Sequence, residues 1–216
     1  MHAAPGQRDR IAWVLLERAV RLRCSGMADD RADTATAILR EEHQLILRVA
    51  GELAERLDAE RGGEPLDYEI VARCVTFFRL FADACHHGKE EDLLFPELEA
   101  HGMPPDAGPI AVMLYEHEQG RALVRTMATS LEGARGGDEG AGDELRTAAE
   151  GFVDLIVAHI GKEDNVLFTM ADGMIVGSEC IDLCSRYDEV CRRRFEGQTL
   201  EDLERLGGEI LAGSSG

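Results

Sequence analysis

The sequence predicts an all-α protein, an up-down-up-down four-helix bundle over residues 33–172, flanked by a short extension (1–32) and extra C-terminal helices (173–216). Three observations carry the expectation. Apolar residues recur at helical spacing through four long segments separated by Gly- and Pro-rich breaks. A ten-residue stretch, His86-His87-Gly88-Lys89-Glu90-Glu91-Asp92-Leu93-Leu94-Phe95, is echoed by His159-Ile160-Gly161-Lys162-Glu163-Asp164-Asn165-Val166-Leu167-Phe168. And the histidines and glutamates of that repeat fall on the apolar, inward faces of their helices.

The two copies share His, Gly, Lys, Glu, Leu and Phe, and the chain's only two lysines occupy the same matched position against 21 arginines elsewhere. Upstream, Glu42-His43 and Glu116-His117 are also paired, 74 residues apart, while His86 and His159 are 73 apart. The chain therefore reads as two related halves, each supplying one lone His and one His-x-x-x-Glu.

Taken in order, residues 1–32 contain an Arg-rich amphipathic stretch from Arg8 to Arg23. It reads either as a short docking helix or as residues upstream of a true start at Met27. A transit peptide is a third reading, against which Asp9 and Glu17 count. The first bundle helix is expected from Asp33-Thr34 to about Leu57, with Leu39, Ile46, Ala50, Leu53 and Leu57 on the face of His43. Arg61 to Pro65 ends it. The second runs from Asp67 to Ala100, with Val71, Val75, Phe78 and Ala82 leading into His86, Glu90 and Leu93, and Pro96 loosening its end. His87 and Glu91 share the same spacing as His86 and Glu90. The repeat settles the choice, since Glu90 matches Glu163 and His87 matches Ile160, so His87 and Glu91 are expected to face solvent. Lys89 and Lys162 are likewise expected to point away from the ligand face.

After a Gly- and Pro-rich crossover, Pro109 opens the third helix, with Ile110, Met113, His117, Gly120 and Val124 inward. A polar Gly-rich loop is expected from Gly133 to Gly142. The fourth helix, Asp143 to Met170, presents Phe152, Ile156, His159, Glu163 and Val166 inward. Two shorter helices, Glu179 to Phe195 and Thr199 to Leu211, are expected to pack on the bundle or to form a homodimer. Cys180, Cys184 and Cys191 share one helical face there; they read as small buried apolar residues, with a metal site or redox pairs as the alternative.

Composition narrows the partners. A net charge of −19 and a pI near 4.7 exclude the basic footprint that nucleic acid needs and disfavour an anionic membrane surface. No apolar run approaches a transmembrane span. The six cysteines, in a chain large enough not to need staples and with no export signal, are expected as reduced thiols in a cytoplasm.

Four imidazoles and two carboxylates converging in a helical bundle make a two-metal site. Six protein donors are too many for one tetrahedral zinc. Shared over two metals with both carboxylates bridging, they give each metal two nitrogens and two oxygens; a solvent-derived bridge brings each to five and leaves one position open. Mixed imidazole and carboxylate ligation suits iron, and ligand type alone also admits manganese, cobalt or zinc. A small, dry site favours a diatomic or peroxide over bulky organics.

His43, His86-x-x-x-Glu90 followed by Leu94-Phe95-Pro96, His117, and His159-x-x-x-Glu163 with Leu167-Phe168 resemble the hemerythrin-like, or HHE cation-binding, domain. The resemblance covers about residues 33–172. It implies a non-haem di-iron centre, oxo- or hydroxo-bridged, with His43, His86, Glu90, His117, His159 and Glu163 as ligands. Oxygen-carrying hemerythrins place a further His four residues after the third, where this chain has Arg121, and end with His-x-x-x-x-Asp, a spacing that Asp164 offers here although the repeat favours Glu163. The six-ligand pattern is similar to that of bacterial proteins that repair iron–sulfur centres after nitrosative or oxidative damage. Those proteins carry an N-terminal pair of adjacent cysteines that this chain lacks. Reaction with dioxygen, nitric oxide or peroxide in stress defence is thus one expectation, and a non-catalytic sensor, carrier or store the other.

Overall fold

A computed structural model describes residues 34–194 and 197–213, which are helical and contain no strand. The described residues form an all-α helical bundle. The expected extension, 1–32, lies outside the described residues.

Helix α1 (Ala37–Arg61) buries Leu39, His43, Ile46, Ala50, Leu53 and Leu57 along one stripe, the periodicity that the sequence shows. It begins at Ala37 rather than at 33–34. Thr36 precedes it, and the Thr36 hydroxyl is turned to Asp172 Oδ1 (2.8 Å), at the far end of the bundle sequence, instead of capping its own helix.

Helix α2 (Tyr68–Phe77) is capped by Asp67, whose carboxylate accepts from Glu69 N–H and Ile70 N–H. The chain then departs from the expected plain α-helix. Phe78–His87 and Glu90–Leu94 are π-helical, and Gly88 N–H bonds the Asp83 carbonyl five residues back. Helix α3 (Phe95–Ala100) follows. Pro96, with no N–H to donate, sits in its first turn, where a donor is not missed.

Helix α4 (Gly108–Arg135) and helix α5 (Glu139–Lys162) are joined by a turn far tighter than the loop expected over 133–142. Gly137 there has φ +86°, and Asp138 accepts from Ala141 N–H at 3.1 Å. The glycines permit this closeness: a Cβ on Gly133 would stand 2.8 Å from Ala141 Cβ. A third π-helical stretch, Glu163–Leu167, leads into α6 (Phe168–Met174). It rotates Val166 outward to 50% exposure, against the expectation that it faces in, and Leu167 is buried in its place.

Helix α7 (Ser178–Arg194) packs on the π-helical stretches of the second bundle segment, and α8 (Leu200–Ala212) on α1 and α2. Tyr187 is fully buried and donates its hydroxyl to the Ala35 carbonyl at 2.9 Å. The expectation of six reduced thiols is corrected here: Cys85 and Cys191 form a disulfide, their Cα atoms 4.7 Å apart. Size and compartment arguments do not see which thiols folding brings together. Cys74 and Cys180 are buried thiols and Cys184 is half-buried.

Two apolar clusters build the core, one around Phe77, Phe78, Phe81 and Phe152, the other around Leu94, Phe95, Leu98, Phe168 and Tyr187. Along α1 and α4 the histidines fall between residues of the two clusters, so a polar layer divides the core. Among the described residues no helix is long and apolar enough to cross a membrane.

Candidate metal centre

His43, His86, Glu90, His117, His159 and Glu163 all converge in that layer, each at most 2% exposed. They fall into two groups whose donor atoms lie within 4.8 Å of one another. One is His43, His86, Glu90 and Glu163; the other is His117 and His159 with His87. The carboxylates span both groups. Glu90 is 3.7 Å from His86 Nε2 and 3.5 Å from His117 Nε2, and Glu163 is 3.2 Å from both His43 Nε2 and His159 Nε2.

None of these atoms is satisfied by hydrogen bonding. The Nε2 atoms of His43, His86, His117 and His159, and both oxygens of Glu90 and Glu163, are buried without a hydrogen-bond partner. Native proteins pair nearly all such atoms, and a buried charge without compensation is costly. A donor set left open in this way fits metal ions, with the tautomers already arranged.

His87 corrects the sequence reading. It is 7% exposed and stacks on His117 with ring centroids 3.8 Å apart. In an α-helix neighbouring residues diverge by roughly 100°, which is why only one of His86 and His87 was expected inside. A π-helical turn holds more residues, so adjacent side chains diverge less and both enter the bundle. Such turns recur at functional sites. A fifth imidazole therefore lies beside His117 and His159, and Arg121, at the position where oxygen-carrying hemerythrins have a His, binds Asp83, Glu91 and Glu118.

The remaining ring nitrogens are oriented by residues that the sequence reading left out or turned to solvent. Glu42 accepts from His86 Nδ1 at 2.9 Å and pairs with Lys89, while Glu116 takes His159 Nδ1 at 3.0 Å and pairs with Lys162. Asp164 takes His43 Nδ1 at 2.9 Å, and Glu91 takes His117 Nδ1 at 2.7 Å. Phe168 stacks on His43 and Phe95 on His117. Glu91 and Asp164 thus each brace the lone His of the other half, while Glu42 and Glu116 brace the second His of their own. The signal was present as Glu before each lone His and an acid after each ligand Glu; without the fold, nothing said where those carboxylates reach. Outer partners of this kind fix ring orientation and raise ligand basicity.

The electrostatics follow from burial. Burial, and then the facing Glu163 carboxylate, push Glu90 well above the usual carboxylate range. Burial alone would raise Glu163 too, but His159, His117 and His43 hold it low. Burial and the neighbouring His43 bring His86 down to about 4, so its imidazole is neutral, the form that binds metal. Burial would raise Glu42, yet Lys89 and His86 keep it at about 2.

A helical bundle with buried imidazoles and carboxylates at its centre defines a metal-binding bundle protein. The chain belongs to the hemerythrin HHE cation-binding domain family, which matches residues 34–171. Proteins described as uncharacterized from Mycobacterium bovis and Mycobacterium tuberculosis are 24% identical over 162 residues, 75% of this chain and 63% of theirs. The chain thus spans just under two thirds of the length of these curated relatives. No solved structure matches it significantly.

Proposed function

We propose that the chain holds two iron ions, joined by an oxo or hydroxo bridge, on His43, His86, Glu90, His117, His159 and Glu163, with His87 as an added donor. The pair binds or reacts with dioxygen, nitric oxide or peroxide, in oxidative or nitrosative stress defence or in the repair of iron centres. The observation that carries this is the set of buried Nε2 and carboxylate oxygen atoms without hydrogen-bond partners. Two metals rather than one are supported by Glu90 and Glu163, each of which lies near imidazoles of both groups.

Iron bound there would supply electrons to a small ligand. The chain's own part is to exclude bulk water, through the apolar clusters on either side, and to hold the rings by Glu42, Glu116, Asp164 and Glu91. A non-catalytic sensor, carrier or store is the second reading. It is favoured by the Cys85–Cys191 bond, which joins the residue before His86 to α7 and so couples the donor layer to the C-terminal helices.

The test is to load the purified protein anaerobically with ferrous iron, count the metal, and then admit dioxygen or nitric oxide. Two irons per chain are expected, with the near-ultraviolet absorption of an oxo-bridged ferric pair after oxidation. Glu163→Ala should abolish the pair, and His87→Ala should bring the content closer to one iron than two. Turnover supports the reactive reading and a reversible adduct the carrier. One metal on four ligands in the wild type would sink the two-metal proposal.

A further inference from the structure

Beside His87, His117 and His159 lies a cavity of about 250 Å³. Its wall is mostly carbon, including Phe78, Ala82, Gly120, Val124, Phe152 and Ile156. A diatomic ligand needs only a fraction of this space: one water occupies about 30 Å³ of liquid, and a dry cavity of about 150 Å³ holds benzene. The volume matches a small organic molecule.

The repeat shows how the cavity arises. Gly120 stands at the place of Ile46 in the first half, and Ala82, Asp83 and His87 at the places of Leu155, Ile156 and Ile160 in the second. Every one of those counterparts is a larger aliphatic residue, and Ile46 is fully buried. The second half keeps a glycine in mid-helix, where glycine is costly relative to alanine. Packing does not demand it. A Cβ on Gly120 would meet Leu155 and Phe152 at 3.7 and 3.8 Å, ordinary contact distances. What the glycine provides is open space beside the group of His87, His117 and His159.

The cavity also has a polar end. His87 Nδ1 is buried with no hydrogen-bond partner, and Asp83 Oδ1 is 3.5 Å from it. A group that exchanges a hydrogen bond with this nitrogen would satisfy it. Asp83 is itself paired with Arg121 at 2.8 Å, so this end of the cavity offers a hydrogen bond rather than an unpaired charge, and the head that fits is a neutral hydroxyl or hydroperoxyl.

We propose that this cavity is the substrate pocket, and that its occupant is a small neutral organic molecule, one aromatic ring or branched alkyl group in size, with a single hydroxyl or hydroperoxyl head lying toward His87, His117 and His159. This deepens the two-metal reading, on which the head's approach to a metal rests. Burial of the apolar body drives binding, and the oxygen head sets its direction.

The experiment titrates phenol into the iron-loaded protein by calorimetry, with metal content measured on the same sample, for the wild type, Gly120→Ile and Gly120→Ala. The wild type should bind one phenol per chain saturably, and benzene more weakly. Gly120→Ile, which restores the residue of the first half, should weaken phenol by about tenfold or more through steric filling. Gly120→Ala, whose Cβ fits without displacement, guards against misfolding of the larger variant and should show a smaller loss in the same direction. Absence of saturable phenol binding by the wild type, or equal affinity in wild type and both variants, overturns the proposal. The metal count separates this from the two-metal reading: Gly120-dependent phenol binding without two irons keeps the pocket and removes the metal pair, and two irons without phenol binding does the reverse.

Discussion

Lys89 and Lys162 occupy the same position of the repeat and make the same ion pair, with Glu42 and Glu116. Their surroundings differ. The Lys89 side chain is 1% exposed, whereas that of Lys162 is 43% exposed. Removing one member of a buried pair strands the other charge, at a cost of about 3–5 kcal/mol, while an exposed pair is worth roughly 0–1 kcal/mol. Lys89→Met is therefore expected to destabilise the fold by about 3–5 kcal/mol, and Lys162→Met by no more than about 1 kcal/mol. Urea denaturation of the two variants checks this. Equal losses would mean that the dry surroundings of Lys89 do not matter. The same contrast separates two lysines expected alike to point away from the ligand face: amino-acid identity repeats, but burial does not.

At the scale of helices, glycine has opposite meanings at different places. Gly207 on α8 lies where a Cβ would stand 3.0 Å from Phe77 Cε2 and 3.2 Å from Leu45 Cδ1, so α8 rests on α1 and α2 through that gap. Gly161, shared by both copies of the repeat, has no atom within 4 Å of where its Cβ would be. Gly207→Ala should overpack the contact and cost about 1–3 kcal/mol. Gly161→Ala should stabilise by about 0.4–1 kcal/mol, through reduced freedom of the unfolded chain. Paired denaturation curves decide it, and a stabilised Gly207→Ala would show that α8 is not seated by close approach. The π-helical stretches belong to this scale too. They bring His86 and His87 into one layer and turn Val166 out, and no residue type in them announces the wider turn.

For the whole molecule, two links tie distant parts of the chain together. The disulfide closes 106 residues of sequence, and a loop of about 100 residues carries a chain-entropy effect of about 4.7 kcal/mol in the simplest treatment. Cys191→Ser should lower stability by about 2–5 kcal/mol, read as a drop in the denaturation midpoint that a reductant reproduces in the wild type. The second link is the metal layer, to which every long segment of the bundle contributes. Binding to the folded state alone adds about 4 kcal/mol at a thousandfold excess over Kd, a large share of a domain's ~5–15 kcal/mol. Chelated protein should melt well below the loaded protein and recover when iron returns. Identical melting temperatures would show that the donor atoms do not hold metal in the fold. Because Cys85 adjoins His86, the two effects should not be additive.

The sequence by itself determined the helical class, the sites of the main helix breaks, and the convergence of His43, His86, Glu90, His117, His159 and Glu163. Those are properties of local periodicity and of a repeat, and both survive in one dimension. Where helix ends differ, contact decided over local preference: distant Asp172 took the Thr36 side chain, and within the Gly133–Gly142 stretch Ala141 fills the space that Gly133 leaves. Only the tertiary structure decided that His87 enters the bundle, that Glu42, Glu116, Asp164 and Glu91 brace the rings, that Cys85 meets Cys191, and that a cavity opens beside Gly120. Each of these depends on the angle between neighbouring residues in a widened turn, or on distances between segments far apart in the chain. Spacing along the sequence specifies which residues share a face, but it does not specify what stands opposite that face.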